Sequence, residues 1–194
     1  MLRLRRPAHE QVHDQIVLAI GGRPASPSFL SIEEGRDPGD LGGFSYDQSR
    51  SCLGHGESVF AAAKRAFANW QMFDLGWVRV VNPSATIACG QIVAVEVHSL
   101  GLWSVNLSQI METVDAETRF GFLYSTTVHH IEQGEESFVL RFDSSTGEVV
   151  YELDAVSRPR HVLAKLGYPV ARHYQHRFAR DSHRRMRQAV TLNP

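Results

Sequence analysis

Apolar and polar residues alternate with a period of two through the middle of the chain, from Trp77 to Val156. This period is typical of β-strands, because successive side chains point to opposite faces of a sheet. The pattern predicts six strands there, and a seventh from Phe44 to Leu53. The six segments are 77–81, 87–98, 102–114, 119–130, 135–142 and 148–156. Short turn sequences separate several of them, which predicts antiparallel neighbours, because a parallel crossover needs about a dozen residues or more.

Three other stretches place apolar residues three or four positions apart, which is the period of an amphipathic helix. The first covers residues 10–20 and the second covers residues 58–73. The third and longest begins at Pro169 and ends at about Val190. At about 1.5 Å per residue the third helix measures roughly 30 Å, which is enough to cross a small domain.

A short helical turn is predicted between the last strand and the long helix. Ser157 is the expected N-cap, since a serine oxygen accepts the unpaired N–H groups of a first helical turn. Pro159 fits an early helical position, where no N–H donor is required, and Gly167 fits the end of the turn.

The order of elements is a strand, a helix, six strands and a long helix. The economical arrangement is α+β: a curved antiparallel sheet of about seven strands wrapped around the long C-terminal helix, which is the helix-grip fold. Residues 44–194 form the predicted helix-grip domain, and residues 1–43 form an N-terminal extension of a short helix and loops that packs on it. The apolar residues of the long helix that should face the sheet are Val170, Tyr174, Phe178 and Met186.

Composition narrows the class of protein. The 194 residues are 43% hydrophobic and carry a formal net charge of −1, as expected for one globular domain. No apolar run approaches the length of a membrane span, and the first residues lack the apolar core of a secretory signal. Cys52 and Cys89 have neither metal-ligand nor disulfide-framework spacing. We therefore expect a cytoplasmic chain with reduced thiols, without a metal or other cofactor; the sequence does not indicate an oligomeric state.

The long helix is rich in cations, but we do not expect it to bind nucleic acid. Its apolar side must face the sheet, and no aromatic side chains stand beside the cations to stack on bases. The cations are therefore predicted to form a solvated outer face. They are Arg172, Arg177, Arg180, Arg184, Arg185, Arg187, His173, His176 and His183.

Three separated strings resemble the motifs of one family. They are LGHGESVFAAAKRAFANWQMFDLGWVRV, HHIEQGEESF and SRPRHVLAKLGYPVARHYQHRFARDS. The family is the bacterial and plant domain-of-unknown-function family numbered nineteen-ninety, and the likeness covers roughly residues 46–190. The order of elements is also similar to that of START-like and birch-pollen-allergen helix-grip proteins. This resemblance implies a fold, and it carries no established activity that transfers to the chain.

The family's HxExGEE element falls on a short run of this sequence, and its SRP element on Ser157, Arg158 and Pro159. The chain departs from the family at two places. It has YSTTVHH where the family usually has YGTLPGH, and Gln109 stands where arginine is expected. Should these positions line a pocket, the ligand preference of this chain differs from that of its relatives. The residues of the HxExGEE element are His130, Glu132, Gly134, Glu135 and Glu136.

His130 and Glu132 are the candidates for catalysis. They lie two apart on a predicted strand, so both side chains point to one face, with Cα atoms roughly 6–7 Å apart. A histidine beside a carboxylate is oriented and made more basic, which suits proton transfer. The structural alternative is a solvated strand end or an ion pair that pins the strand. A metal site would need a third ligand, and His129 points to the opposite face.

Arg158 is a candidate anchor for a ligand's carboxylate or phosphate, or else pairs with one of the three nearby glutamates. Aromatic residues of the strands should line a cavity between the sheet and the long helix. The predicted ligand-binding residues are Phe122, Tyr124, His130, Glu132, Glu135, Tyr151 and Arg158.

Three functions follow from this fold. The favoured one is a module that binds a small apolar or amphipathic molecule in the cavity. The second is a structural or interaction domain whose own aromatic side chains fill that space. The third is an enzyme that uses His130 and Glu132 for proton transfer.

Overall fold

The computed structural model describes residues 3–20, 28–32, 41–127, 132–159 and 168–192. Seven strands form one antiparallel sheet in the order β1-β7-β6-β5-β4-β3-β2. The strands are β1 (Ser45–His55), β2 (Val78–Val80), β3 (Ile92–Ser99), β4 (Leu102–Asp115), β5 (Arg119–Thr126), β6 (Glu132–Phe142) and β7 (Glu148–Pro159). The helices are α1 (His9–Ala19), α2 (Glu57–Ala68) and α3 (Tyr168–Leu192), with a short 3₁₀ helix at Gln71–Phe73. The predicted α+β helix-grip fold, with a curved sheet around the long C-terminal helix, is confirmed.

The concave face of the sheet holds the main hydrophobic core. Helix α2 contributes Phe60, Ala63 and Phe67, and the C-terminal half of α3 contributes Met186 and Val190. A group of buried rings, here called the aromatic core, lies between these helices and the sheet. Ring centroids within it lie 5.0–6.3 Å apart, a range in which aromatic pairs attract each other beyond their burial. The aromatic core consists of Phe67, Trp70, Phe122, Phe138 and Tyr151.

The convex face is covered as well. Val12 and Ala19 of α1 pack on residues of β3 and β4, among them Ile92 and Leu107. A second cluster places Leu30 and its neighbours on β5, β6 and β7. Both faces of β3 are therefore buried, which agrees with the mixed apolar pattern in that part of the sequence. The predicted boundary between an extension of residues 1–43 and the rest stays a prediction.

The predicted helical turn at Ser157 is wrong in its described part. Strand β7 continues through Pro159, and Gly134 of β6 lies opposite Ser157. A Cβ atom on Gly134 would lie 2.1 Å from the carbonyl oxygen of Val156, so this close approach of the two strands requires glycine. The Ser157 hydroxyl accepts a hydrogen bond from Gln175 of α3, at 3.0 Å, instead of capping a helix. Gly167 lies outside the described residues.

Other boundaries differ by a few residues. Strand β3 begins at Ile92 rather than at residue 87, because Gly90 takes a left-handed turn with φ of 84°. The long helix was predicted from Pro169 to about Val190, and α3 confirms it within two residues at each end. Among the described helices, none has the length and apolar character that crossing a membrane requires.

Candidate functional site

A pocket of about 790 Å³ lies between α3 and the concave face of the sheet. Residues Val170 to His183 of α3 form its roof, and the β3–β4 hairpin forms one side. It lies beside the aromatic core, and Phe178 in its lining has a ring centroid 6.3 Å from that of Phe138 in the core. The apolar walls come from Phe73, Trp77, Val95, Val97, Leu153, Ala155, Tyr174 and Phe178.

Of the predicted aromatic lining residues, Tyr124 lines this pocket. Phe122 and Tyr151 are fully buried in the aromatic core instead. The Tyr151 hydroxyl lies 2.9 Å from that of Ser182 on α3, and burial raises the pKa of Tyr151 far above its usual range. Tyr151 therefore links the helix to the sheet, whereas Tyr124 lies at the border between the core and the pocket.

Three polar side chains on β4, Ser104, Asn106 and Ser108, line the pocket and are here called the β4 polar row. All three are buried, with Asn106 only 8% exposed. The Asn106 amide nitrogen lies 3.4 Å from the Ser104 hydroxyl oxygen. Its carbonyl oxygen Oδ1 is buried and has no hydrogen-bond partner among the described residues. Buried polar atoms of proteins are nearly always paired, so this oxygen is an exception that calls for an explanation.

The β4 polar row was not predicted from the sequence, although its signal is present. Ser104, Asn106 and Ser108 alternate with Val105 and Leu107 along the strand. The alternation shows that one face is polar and the other apolar, and a polar face is usually assigned to solvent. Here the apolar face is turned to α1 and the polar face to the pocket.

Tyr124 and Glu136 form a second polar element of the pocket. They lie directly opposite each other on β5 and β6. The tyrosine hydroxyl donates a hydrogen bond of 2.6 Å to Glu136 Oε2. A short bond from a hydroxyl to a carboxylate is stronger than one between neutral groups, so it fixes the orientation of both side chains in the pocket wall.

The first turns of α3 are tied to β1 by charge. Arg172 forms an ion pair with Asp47, in which the second guanidinium nitrogen lies 2.6 Å from Asp47 Oδ1. His176 Nε2 lies 3.4 Å from the same oxygen. The hydrogen bonds from Arg172 lower the pKa of Asp47 below its usual value, although burial opposes that shift. This cluster fixes the distance between α3 and the sheet at the pocket.

Trp77 directly precedes β2, at the other edge of the sheet from β1, and it also contacts α3. Its indole Nε1 donates to Asp181 Oδ2 at 3.1 Å, and the Arg177 guanidinium lies 4.5 Å from the centroid of its ring. Asp181 is buried and also lies 3.3 Å from Arg184. The pKa of Asp181 is lowered by the Trp77 hydrogen bond and the surrounding arginines, against the effect of burial. The carboxylate therefore organises one wall of the pocket.

His183 corrects the prediction of a solvated cationic face. It is 7% exposed, and its ring nitrogens lie 2.9 Å from the hydroxyl oxygens of Ser49 and Ser51 on β1. Burial, together with the nearby Arg187 charge, lowers the pKa of His183 to about 4. A histidine with this pKa is neutral at pH 7. Its ring centroid lies 4.7 Å from that of Tyr151, and it is part of the pocket lining.

Two other predicted residues, Glu135 and Arg158, lie on the convex face, away from the pocket. Glu135 is buried and accepts hydrogen bonds from the backbone N–H groups of Phe29 and Leu30, at 2.8 and 3.1 Å. Burial raises the pKa of Glu135 despite these donors. Arg158 donates to Gln133 at 3.0 Å, and its guanidinium lies 4.3 Å from the Phe44 ring centroid. The structure therefore does not bring these two residues together with Tyr124.

The candidate pair for acid–base chemistry is not tested. His130 lies outside the described residues, and for Glu132 the description covers the backbone in β6 alone.

The departure at Gln109 lies on β4 opposite Ser125, on the face turned away from the pocket. In the part of the chain that the structure describes, no three His, Cys, Asp or Glu side chains are grouped as metal ligands.

Comparisons with known proteins identify a family and a fold. A family model described as "Domain of unknown function (DUF1990)" matches residues 30–185, which confirms the family predicted from the three strings. A UPF0548 protein of Dictyostelium discoideum is 34% identical over 161 residues, or 77% of this chain and 74% of that protein.

Two solved structures are similar in fold. A protein of Thermus thermophilus has 11% identity and a TM-score of 0.54, covering 76% of this chain and 98% of its own. A hypothetical protein of Helicobacter pylori has 10% identity and a TM-score of 0.51, covering 89% and 100%. At these identities the likeness establishes the fold alone.

Proposed function

We propose that this chain, which belongs to the DUF1990 family, binds a small apolar or amphipathic molecule in the pocket between α3 and the sheet. One observation carries the proposal: the pocket has a volume of about 790 Å³ and walls that are mostly apolar with a few oriented polar groups. Ligand pockets of proteins typically measure about 300–1,000 Å³ and have this mixed lining. The volume and the lining both fit a ligand of drug-like size.

The margin of the pocket supports an apolar ligand. Leu100, at the tip of the β3–β4 hairpin, is 72% exposed, and Val170 at the start of α3 is 46% exposed. Leu100 has a φ of 52°, and Gly101, which follows it, has a φ of 73°. A left-handed backbone costs a residue with a Cβ atom about 1–2 kcal/mol, and asparagine or glycine is usual in such a turn. An exposed leucine held there at a cost is consistent with contact to an apolar molecule.

The competing functions make different predictions. A structural or interaction domain without a ligand predicts that no small molecule raises the melting temperature. An enzyme that uses His130 and Glu132 predicts turnover that is lost in His130→Ala with little change in stability. No contact of the described residues favours the enzyme, so it stays a prediction.

A fluorescent probe tests the proposal directly. N-phenyl-1-naphthylamine is neutral and apolar, and its emission rises when it leaves water. We expect saturable binding to the full chain with a dissociation constant in the micromolar range. Ala155→Phe should abolish this binding, because Ala155 lines the pocket and a ring added there occupies the probe's space.

The matched control is Ala61→Phe, which adds the same ring at an exposed position of α2. Circular dichroism should show that both variants fold. Binding by Ala61→Phe but not by Ala155→Phe supports the pocket as the site. Probe binding that persists in Ala155→Phe, or a wild-type chain that binds neither the probe nor any of a panel of alkyl, polycyclic and isoprenoid compounds, would refute the proposal.

A further inference from the structure

We propose that the β4 polar row selects an uncharged, largely apolar molecule that carries a hydroxyl group, an alcohol or a phenol, and that Asn106 accepts the hydrogen bond of that hydroxyl. The inference rests on the proposed function, since it names the class of ligand for the same pocket. It begins from Asn106 Oδ1, which is buried and has no partner among the described residues.

An amide oxygen without a protein partner is unusual at a buried position among the described residues. Asn106 is 8% exposed and lies in the middle of β4, where a leucine would satisfy the fold without an unpaired polar atom. Its amide nitrogen lies 3.4 Å from the Ser104 hydroxyl oxygen, which leaves the oxygen as the unpaired atom. The oxygen is therefore an acceptor for a hydroxyl or N–H donor on a ligand.

The surroundings of Asn106 define the rest of the ligand. Across the β3–β4 ladder, Asn106 lies opposite Val95 and Ser104 lies opposite Val97. The polar row therefore runs along an apolar strip, and both belong to the pocket wall. Ser104 and Ser108 lie two residues to either side of Asn106, roughly 6–7 Å away along the strand. A molecule with an apolar body and a single polar edge matches this wall.

The charges around the pocket favour a neutral ligand. Arg172 is paired with Asp47, and Glu136 accepts from Tyr124. His183 has a pKa of about 4 and is uncharged at neutral pH. Arg180, a further cation of the lining, lies 3.6 Å from the Asp181 carboxylate. A carboxylate held at the β4 polar row would lie beside Val95 and Val97 rather than beside a cation, and desolvating it without a partner is unfavourable.

The test compares matched ligands rather than one ligand. We would measure the dissociation constants of 2-naphthol and 2-methoxynaphthalene by quenching of tryptophan fluorescence, with 2-naphthoate as the charged member. For the wild-type chain we expect 2-naphthol to bind at least tenfold more tightly than either of the others. A parallel comparison of 1-dodecanol with its methyl ether extends the test to chain-like molecules.

The decisive variant is Asn106→Leu, with Asn106→Ala as a second variant in case the larger side chain perturbs the pocket. Each should reduce the preference for naphthol over its methyl ether by about tenfold, and affinity for the ether should stay the same or rise. The matched control is Ser125→Ala. Ser125 carries the other buried oxygen without a partner among the described residues, but it lies on the convex face, so its loss should leave the preference unchanged.

Two failures are distinguishable. If wild type and both Asn106 variants show the same ratio between naphthol and its ether, the inference is wrong while the proposed function stands. If wild type binds neither these compounds nor N-phenyl-1-naphthylamine, the proposed function itself fails. A preference for 2-naphthoate over 2-naphthol also overturns the inference, because it would require a cation in the role given to Asn106.

Discussion

The concave face of the sheet has two ends that are built from the same strands but carry different kinds of side chain. Along the concave face of β4 the residues change from Ile110, in the hydrophobic core, to Ser108, Asn106 and Ser104, in the pocket. Strand β5 changes from Phe122 in the aromatic core to Tyr124 at its border. The filled end contains the aromatic core and stabilises the fold. The pocket end instead places polar side chains under α3. Stability and recognition are thus separated along each strand rather than between domains.

The largest expected effect comes from removing a ring at the filled end. Phe67 is fully buried and makes edge contacts with Phe120, Phe122 and Tyr151. Phe67→Ala should lower the free energy of unfolding by about 3–5 kcal/mol, because it removes apolar contacts and leaves a cavity. Chemical denaturation monitored by circular dichroism measures the loss.

Its counterpart at the pocket end is Val97→Ala. Val97 is half-buried in the pocket wall, so we expect a loss of only about 1 kcal/mol. Equal losses for the two variants would contradict the division between a filled end and a pocket end.

An effect that depends on pH is expected at the buried histidine. The pKa of His183 falls from 6.5 to about 4 on folding, mainly because burial disfavours its charged form. The unfolded chain therefore binds more protons between these values, and stability falls as pH drops from 6.5 toward 4. The slope reaches at most about 1.4 kcal/mol per pH unit. Above pH 6.5 the histidine is neutral in the folded and the unfolded chain, and none of this stability is lost.

His183→Gln isolates this contribution, because glutamine is polar and stays uncharged. Burial raises the pKa values of Glu135 and Asp154, so these carboxyl groups increase stability as the pH falls. They do so in wild type and variant alike, and their effect cancels in the difference between the two proteins. The difference between the unfolding free energies of wild type and variant should therefore change with pH between 6.5 and 4 and be flat above 6.5. If the difference in unfolding free energy did not change with pH anywhere in this range, His183 would have the same pKa in the folded and the unfolded chain, which would contradict the prediction.

The smallest effect is expected at the margin of the pocket. Leu100→Asn should raise stability by about 1 kcal/mol, because asparagine tolerates the left-handed backbone better than leucine. The same change should weaken binding of N-phenyl-1-naphthylamine by about threefold, or roughly 0.7 kcal/mol. Leu18→Asn is the matched control, since Leu18 is 73% exposed on α1, away from the pocket. Leu18→Asn should leave probe binding unchanged.

The sequence predicted the elements well, because their signals are local. The period of two in β4 and β5 and the long amphipathic pattern of α3 depend on neighbouring residues alone. The prediction at Ser157 failed because a serine followed by a proline resembles a helix start, while the pairing of β7 with β6 decides the conformation. That pairing depends on Gly134, more than twenty residues away in the chain.

The pocket was harder to predict than the fold. Alternation in β4 separates two faces but does not say which one is turned inward, and α1, far earlier in the chain, covers the apolar face. His183 was expected in solvent because its neighbours on the helix are arginines. Its burial follows from the rotation of α3 about its axis, which places it against Ser49 and Ser51. Both errors have one cause: the orientation of an element is set by distant partners.

The pairing of β1 with β7 has a consequence for biosynthesis. About a hundred residues separate these partners, so the sheet gains its last strand only after β7 has left the ribosome. Helix α3 follows even later. A nascent chain therefore keeps the part of the concave face that α3 covers exposed until this helix has been synthesised, and apolar surface exposed in that interval favours aggregation.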